Sequence, residues 1–128
     1  MKYFKIIVAV LMLSLWSCQS QKSENVELLD AKSFSEKIHN KEEVQLVDVR
    51  TPEEFKEQHI DNATNINWND ANFEQQVSNL DKSKPVYVYC KSGGRSAKAT
   101  AKLSEMGFTN VYELDGGILS WNEAKMPK

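Results

Sequence analysis

Two rhythms of apolar and polar positions alternate along the chain. Val26-Glu27-Leu28-Leu29 is a short apolar run that predicts a strand. Asp30 then caps a predicted helix with Phe34 and Ile38 on one face. Val44 to Val49 predicts a second strand. Thr51, Pro52 and Glu54 follow as N-cap, first-turn proline and N3 glutamate of a short helix anchored by Phe55. His59 to Trp68 reads as a turn into a short strand around Asn65 and Ile66, and Phe73, Val77 and Leu80 form a helical stripe. Val86-Tyr87-Val88-Tyr89 is β-branched and aromatic, which predicts a buried strand ending on Cys90. Ala97 to Leu103 is rich in good helix formers, and that helix ends at Met106-Gly107 with the glycine as its cap. Val111 to Leu114 predicts the last strand. Asp115-Gly116-Gly117 turns the chain into a final helix carrying Ile118, Leu119 and Trp121.

Strands that alternate with helices pair in parallel, so the fold class is α/β: a single parallel sheet flanked by helices on both faces. Ligands of such sheets bind beyond the carboxyl ends of the strands. Cys90 and the segment Asp48–Arg50 lie at two such ends.

At 128 residues the chain has room for one domain. A formal charge of -2 gives no electrostatic case for nucleic acid. Of its 16 basic residues only Arg50 and Arg95 are arginines, which points to a need for the rigid guanidinium fork at those two places. The two cysteines, Cys18 and Cys90, sit in unlike surroundings and do not suggest a disulfide. No Cys/His spacing suggests a metal, and His39 and His59 read as surface or structural residues.

The first residues carry a different signal. Lys2 and Lys5 precede an almost unbroken apolar run from Ile6 to Trp16. That suits the apolar region of an export signal and is short of the roughly 20 residues a membrane span needs. It ends in Leu15-Trp16-Ser17-Cys18, which resembles the lipobox of bacterial lipoproteins, with Trp16 as its departure. The resemblance implies a signal peptide over residues 1–17, lipidation of Cys18, a flexible tether over 18–25, and a domain over 26–128 held on a membrane and facing the periplasm. Loss of Lys2 and Lys5 would take the charge from -2 to -4.

Cys90 is the candidate nucleophile. A thiol where a strand leaves the sheet, followed by a Gly-rich turn and a helix N-terminus, sits inside an anion cradle. Lys91, Ser92, Gly93 and Gly94 can turn backbone N–H groups toward one point, and Arg95 adds positive charge. Such a site suits an anionic substrate with an electrophilic sulfur or phosphorus.

Cys90-Lys91-Ser92-Gly93-Gly94-Arg95-Ser96 resembles the active-site loop of rhodanese-type sulfurtransferases. Asp48-Val49-Arg50 with Pro52-Glu53-Glu54-Phe55 resembles the family's first motif. His59-Ile60, Ala63 and Asn65-Ile66 resemble its second, and Leu114-Asp115-Gly116-Gly117 with Trp121 its last. The similarity covers roughly residues 26–125. Gln58 and Asn62 stand where the second motif usually has glycine, and Asn67 where proline is common. The resemblance implies that Cys90 takes the outer sulfur of thiosulfate or a similar small anionic donor as a persulfide. It then passes that sulfur to a thiol or cyanide. Lys91, Ser92, Gly93, Gly94, Arg95 and Ser96 would bind the anion, with no metal or organic cofactor. Asp48 and Arg50 read as supporting residues that hold the loops, and Trp68 and Trp121 as pocket wall or core. A monomer is expected.

Three other readings compete. A low-turnover sulfur carrier and a non-catalytic rhodanese-like binding module share the fold. A cysteine phosphatase or arsenate reductase also uses a Cys…Arg cradle, but tyrosine-phosphatase-type loops have one residue more between the two than the four here. A shorter loop makes a tighter cradle, which favours sulfur.

Overall fold

The computed structural model describes residues 25–40 and 43–127. The expected signal peptide, Cys18 and nearly all of the tether lie outside the described residues. The elements are β1 (Val26–Leu29), α1 (Ala31–His39), β2 (Gln45–Asp48), α2 (Pro52–Glu57), β3 (Thr64–Asn65), α3 (Phe73–Val77), β4 (Val86–Tyr89), α4 (Gly94–Glu105), β5 (Val111–Leu114) and α5 (Gly117–Glu123). All five strands are parallel, in the order β1-β5-β4-β2-β3.

The period of two along β4 sorts the core. Val86, Val88 and Cys90 face a cluster with Phe73 and Val77 of α3 and Ala99 and Leu103 of α4. Tyr87 and Tyr89 face the opposite cluster, with Phe34 and Ile38 of α1 and Ile118 and Trp121 of α5. Every residue of β4 is buried, as a strand covered on both faces requires.

Several local signals in the sequence act as expected. The Asp30 carboxylate accepts from Ser33 N–H at 2.8 Å and caps α1. Thr51 and Glu54 close a reciprocal capping box on α2. Gly107, at φ +100°, ends α4: its N–H donates to the Ser104 carbonyl, and that of Phe108 to the Leu103 carbonyl. Asn62 takes the left-handed conformation, φ +70°, which asparagine tolerates better than most residues, so the turn forms without glycine. Gln58 is extended, so nothing there needs glycine.

Two expectations need correction. Phe55 does not anchor α2 in the core, because α2 buries none of its residues. Phe55 instead stacks on His59, with ring centroids 3.8 Å apart, and Ile60 supplies the buried anchor. Helix α4 starts at Gly94, ahead of the alanine-rich run, because Gly93 at φ +120° turns the chain early and its carbonyl accepts from Ala97 N–H. Arg95 and Ser96 are therefore first-turn helical residues.

The topology fixes where a ligand can sit. After β2 the chain moves outward to β3; after β4 it moves the other way, to β5. The order reverses between β2 and β4, and a crevice opens there at the strands' carboxyl ends. Asp48 ends β2, and Cys90 follows the last residue of β4.

Candidate active site

The side chain of Cys90 is held from three directions. Its strand phase aims it at the α4 side of the sheet, and the residue is 1% exposed. Gly93 N–H donates to Sγ at 3.0 Å, and Sγ donates to Ser96 Oγ at 3.3 Å. The N–H groups of Gly94, Arg95 and Ser96 belong to the first turn of α4, ahead of any intrahelical acceptor. The positive end of the helix thus lies at the sulfur.

The loop is fixed from behind by α5. Ile118 N–H donates to the Cys90 carbonyl at 2.9 Å, and Leu119 N–H to that of Lys91 at 3.2 Å. The first donors of α5 are thereby satisfied by the loop itself. Gly116 and Gly117 both take positive φ to make the approach.

An open cleft of about 380 Å³ above Cys90 is lined by Trp68, Asn69, Cys90, Ser92, Gly94, Arg95 and Lys98. Of the loop residues singled out in the sequence, Ser92, Gly94 and Arg95 face this cleft. Gly93 reaches the sulfur through its N–H. Ser96 is buried beneath it. Lys91 is exposed and does not line the cleft, its carbonyl being tied to α5. Trp68 forms a wall, and Trp121 lies in the core. Sequence reasoning missed Asn69 and Lys98, which no motif marks.

Arg95 has a partner that the sequence did not reveal. Its Nη1 donates to Glu54 Oε1 at 2.6 Å and its Nη2 to Oε2 at 2.9 Å, joining α4 to α2 across the crevice. Hydrogen bonding from Arg95, against a smaller opposing effect of burial, brings the Glu54 pKa down to about 2 from an ordinary 4.5. A carboxyl with a depressed folded-state pKa stabilises the fold fully above its unfolded value and loses that contribution as pH falls toward the folded one. The tether should therefore weaken between about pH 4.5 and pH 2. Both side chains are about a quarter exposed, so the pair contributes on the order of 1 kcal/mol. We expect Glu54→Gln to cost little stability at neutral pH. It should also flatten the acid limb of a denaturation-versus-pH profile in that window, and an unchanged limb would remove the tether.

Asp48 and Arg50 lie behind the cleft. The Asp48 carboxylate takes Arg50 Nε at 3.0 and 3.1 Å, Arg50 Nη2 at 2.7 Å and Arg50 N–H at 2.9 Å. Nη2 also donates to the Gln58 carbonyl at 2.6 Å, and Asn65 Nδ2 donates to the carbonyls of Asp48 and Arg50. Burial works against the Arg50 charge, but hydrogen bonds and charge from Asp48 outweigh it and hold its pKa above the ordinary value. This pair ties the ends of β2, α2 and β3 together and lines no part of the cleft.

Glu113 was the other omission. It lies on β5 in phase with buried Val111, a carboxyl at a core-facing position, and this phase was the signal available in the sequence. Its Oε2 accepts from Ser96 Oγ at 3.0 Å. Among the described residues no group of His, Cys, Asp or Glu is placed to hold a metal ion.

A thiol at a helix N-terminus, at the switch point of a small parallel sheet, defines a class of cysteine-centred anion sites, and comparison with known proteins gives the family. Residues 24–124 match the rhodanese-like domain, and the chain belongs to that family. It is 34% identical over 102 residues to a sulfurtransferase of Allochromatium vinosum, covering 80% of this chain and 94% of that one. It is 41% identical over 81 residues to the thiosulfate sulfurtransferase GlpE of Shewanella oneidensis, covering 63% of this chain and 78% of that one. Among solved structures, a rhodanese-related protein of Thermoplasma volcanium superposes with a TM-score of 0.69 at 31% identity, over 79% of this chain and 95% of that one.

Proposed function

We propose that this protein is a sulfurtransferase that carries a sulfane sulfur on Cys90. The observation that supports it most is the placement of Cys90 Sγ 3.0 Å from Gly93 N–H at the first turn of α4. The Cys90 sulfur attacks the outer sulfur of thiosulfate or a similar small anionic donor. The S–S bond of the donor breaks, sulfite leaves with the electron pair, and Cys90 becomes a persulfide. A thiol or cyanide then attacks the terminal sulfur and returns the electron pair to Sγ. First-turn N–H groups of α4 and the helix dipole stabilise the anionic donor and the persulfide. Arg95 and Lys98 at the cleft draw the anion in. Arg95 does so while held by Glu54, so Arg95→Ala should raise the thiosulfate KM more than it lowers kcat. Wild-type kinetics in that variant would remove Arg95 from the site.

A thiocyanate-formation assay with a panel of donors and acceptors tests the reading. Turnover that depends on Cys90 supports an enzyme. Stoichiometric loading of Cys90 without turnover supports a carrier. Arylphosphate hydrolysis that depends on Cys90 would overturn sulfur transfer.

The apolar leader and Cys18 support a lipid-anchored domain outside the cytoplasm. Metabolic fatty-acid labelling is expected in the full chain and should be lost in Cys18→Ala; labelling that persists would refute the anchor.

A further inference from the structure

Three buried side chains form a continuous line beneath the cleft. Cys90 Sγ donates to Ser96 Oγ at 3.3 Å, and Ser96 Oγ donates to Glu113 Oε2 at 3.0 Å. Cys90 is 1% exposed, Ser96 0% and Glu113 8%. A carboxyl this deep in a sheet needs a reason, and packing supplies none: residue 113 faces the same side as Val111, where an apolar side chain would do. The Ser96 hydroxyl has one proton and two lone pairs. The Gly93 carbonyl, at 3.2 Å, competes for that proton, but the Glu113 oxygen is nearer at 3.0 Å, and Ser96 can accept from Cys90 while donating to Glu113.

We infer that Cys90, Ser96 and Glu113 form a proton relay, in which Glu113 takes up the proton that Cys90 gives up. The Cys90 S–H bond breaks and leaves its electron pair on Sγ. That proton passes to Ser96 Oγ, whose own proton passes to Glu113 Oε2. Two protons and one negative charge are present on the three groups before and after, so a thiolate forms in a buried site with no change in the charge buried there. The hydrogen bonds then reverse: protonated Glu113 donates to Ser96, and Ser96 donates to the thiolate beside Gly93 N–H. Over the range in which the pair holds one shared proton, either the sulfur or the carboxyl carries the charge, and the second is charged only when that proton is lost.

The surroundings make the Glu113 carboxylate a stronger proton acceptor than an ordinary one. Burial, and to a lesser degree the like charge of Asp115 in the turn just after β5, raise its pKa, while the Ser96 hydrogen bond opposes them. The residues paired with Glu113 across the sheet, Leu28 of β1 and Val88 of β4, are uncharged. From α4, uncharged Ser96 touches Glu113, and Arg95 acts on the Cys90 sulfur. The relay rests on the sulfur-transfer reading only for its use in turnover; the proton movement itself needs no sulfur donor.

The test is the pH profile of Cys90 alkylation by iodoacetamide in the full chain, read by mass on the Cys90 peptide so that Cys18 does not contribute. Two groups that share a proton titrate as a pair. Wild-type reactivity should therefore rise in two steps about one pH unit or more apart, with a plateau between them. Glu113→Gln should collapse this to a single step, and Ser96→Ala should lower the plateau. In the wild type, the infrared C=O band of a protonated carboxyl should persist through the plateau and vanish with the second step, a readout that holds even if a variant fails to fold. A single wild-type step, a profile indifferent to Glu113→Gln, or a carboxyl band that vanishes at an unrelated pH would overturn the relay. Failure of sulfur loading with the two-step profile intact would count against the proposed function alone.

Discussion

Asp48→Ala should be the most damaging single change outside the catalytic loop. It leaves the Arg50 guanidinium in place with its side chain 5% exposed and no carboxylate opposite it. Breaking a buried pair by removing one partner costs about 3–5 kcal/mol, because the remaining charge keeps its desolvation penalty. That is a large share of the roughly 5–15 kcal/mol by which domains are stable. The loss is readable as a fall in the denaturant midpoint. Because the pair knots the ends of β2, α2 and β3, the variant should also lose protection from hydrogen exchange around Ile60 and Asn65. The double variant Asp48→Leu/Arg50→Met should recover much of the stability, since it leaves no charge stranded. A neutral Asp48→Ala would show that the pair contributes nothing to the fold.

Gly117→Ala should strike both stability and the site. A Cβ there would lie 2.5 Å from the Cys90 carbonyl oxygen and closer still to that of Lys91. The residue also holds φ +61°, which costs a non-glycine residue about 1–2 kcal/mol. Overpacking against backbone adds about 1–3 kcal/mol. The carbonyls it displaces are the two that accept from Ile118 and Leu119, so the loop shifts with them. We expect a lower unfolding midpoint together with a loss of sulfur loading in the fraction that remains folded. Gly94→Ala is the contrast: an added Cβ there meets nothing within 4 Å, and its φ is not positive. Its stability should be unchanged or slightly raised, because alanine loses less backbone freedom than glycine on entering a helix. Equal stability of the two variants would contradict the account of how α5 braces the loop.

These two sites show how unevenly the sequence speaks. The alternation Val86-Tyr87-Val88-Tyr89 carries the central strand because a period of two has only one way to sort onto two covered faces. Thr51-Pro52-Glu54 carries the start of α2 because a capping box is a local bond pattern. The thiol, its Gly-rich turn and the helix after it are contiguous, so the core of the site was legible too. What escaped was long-range or hidden by local chemistry. The bonds between Arg95 and Glu54 span 41 residues, and Glu54 was already accounted for by its own helix cap. Ser96 and Glu113 meet only when β5 and α4 pack together. The early start of α4 depends on the positive φ of Gly93, a backbone choice that helix propensity does not encode.

Sulfur transfer by this protein hinges on one atom, the sulfur of Cys90. Intact mass after incubation with thiosulfate addresses it most directly, with digestion to locate the change. The wild type should gain one sulfur atom on the Cys90 peptide, release it to cyanide, and show no gain in Cys90→Ser. A wild-type chain that stays unmodified with thiosulfate and with other persulfide donors, or a Cys90→Ser variant that loads as well as wild type, would contradict it.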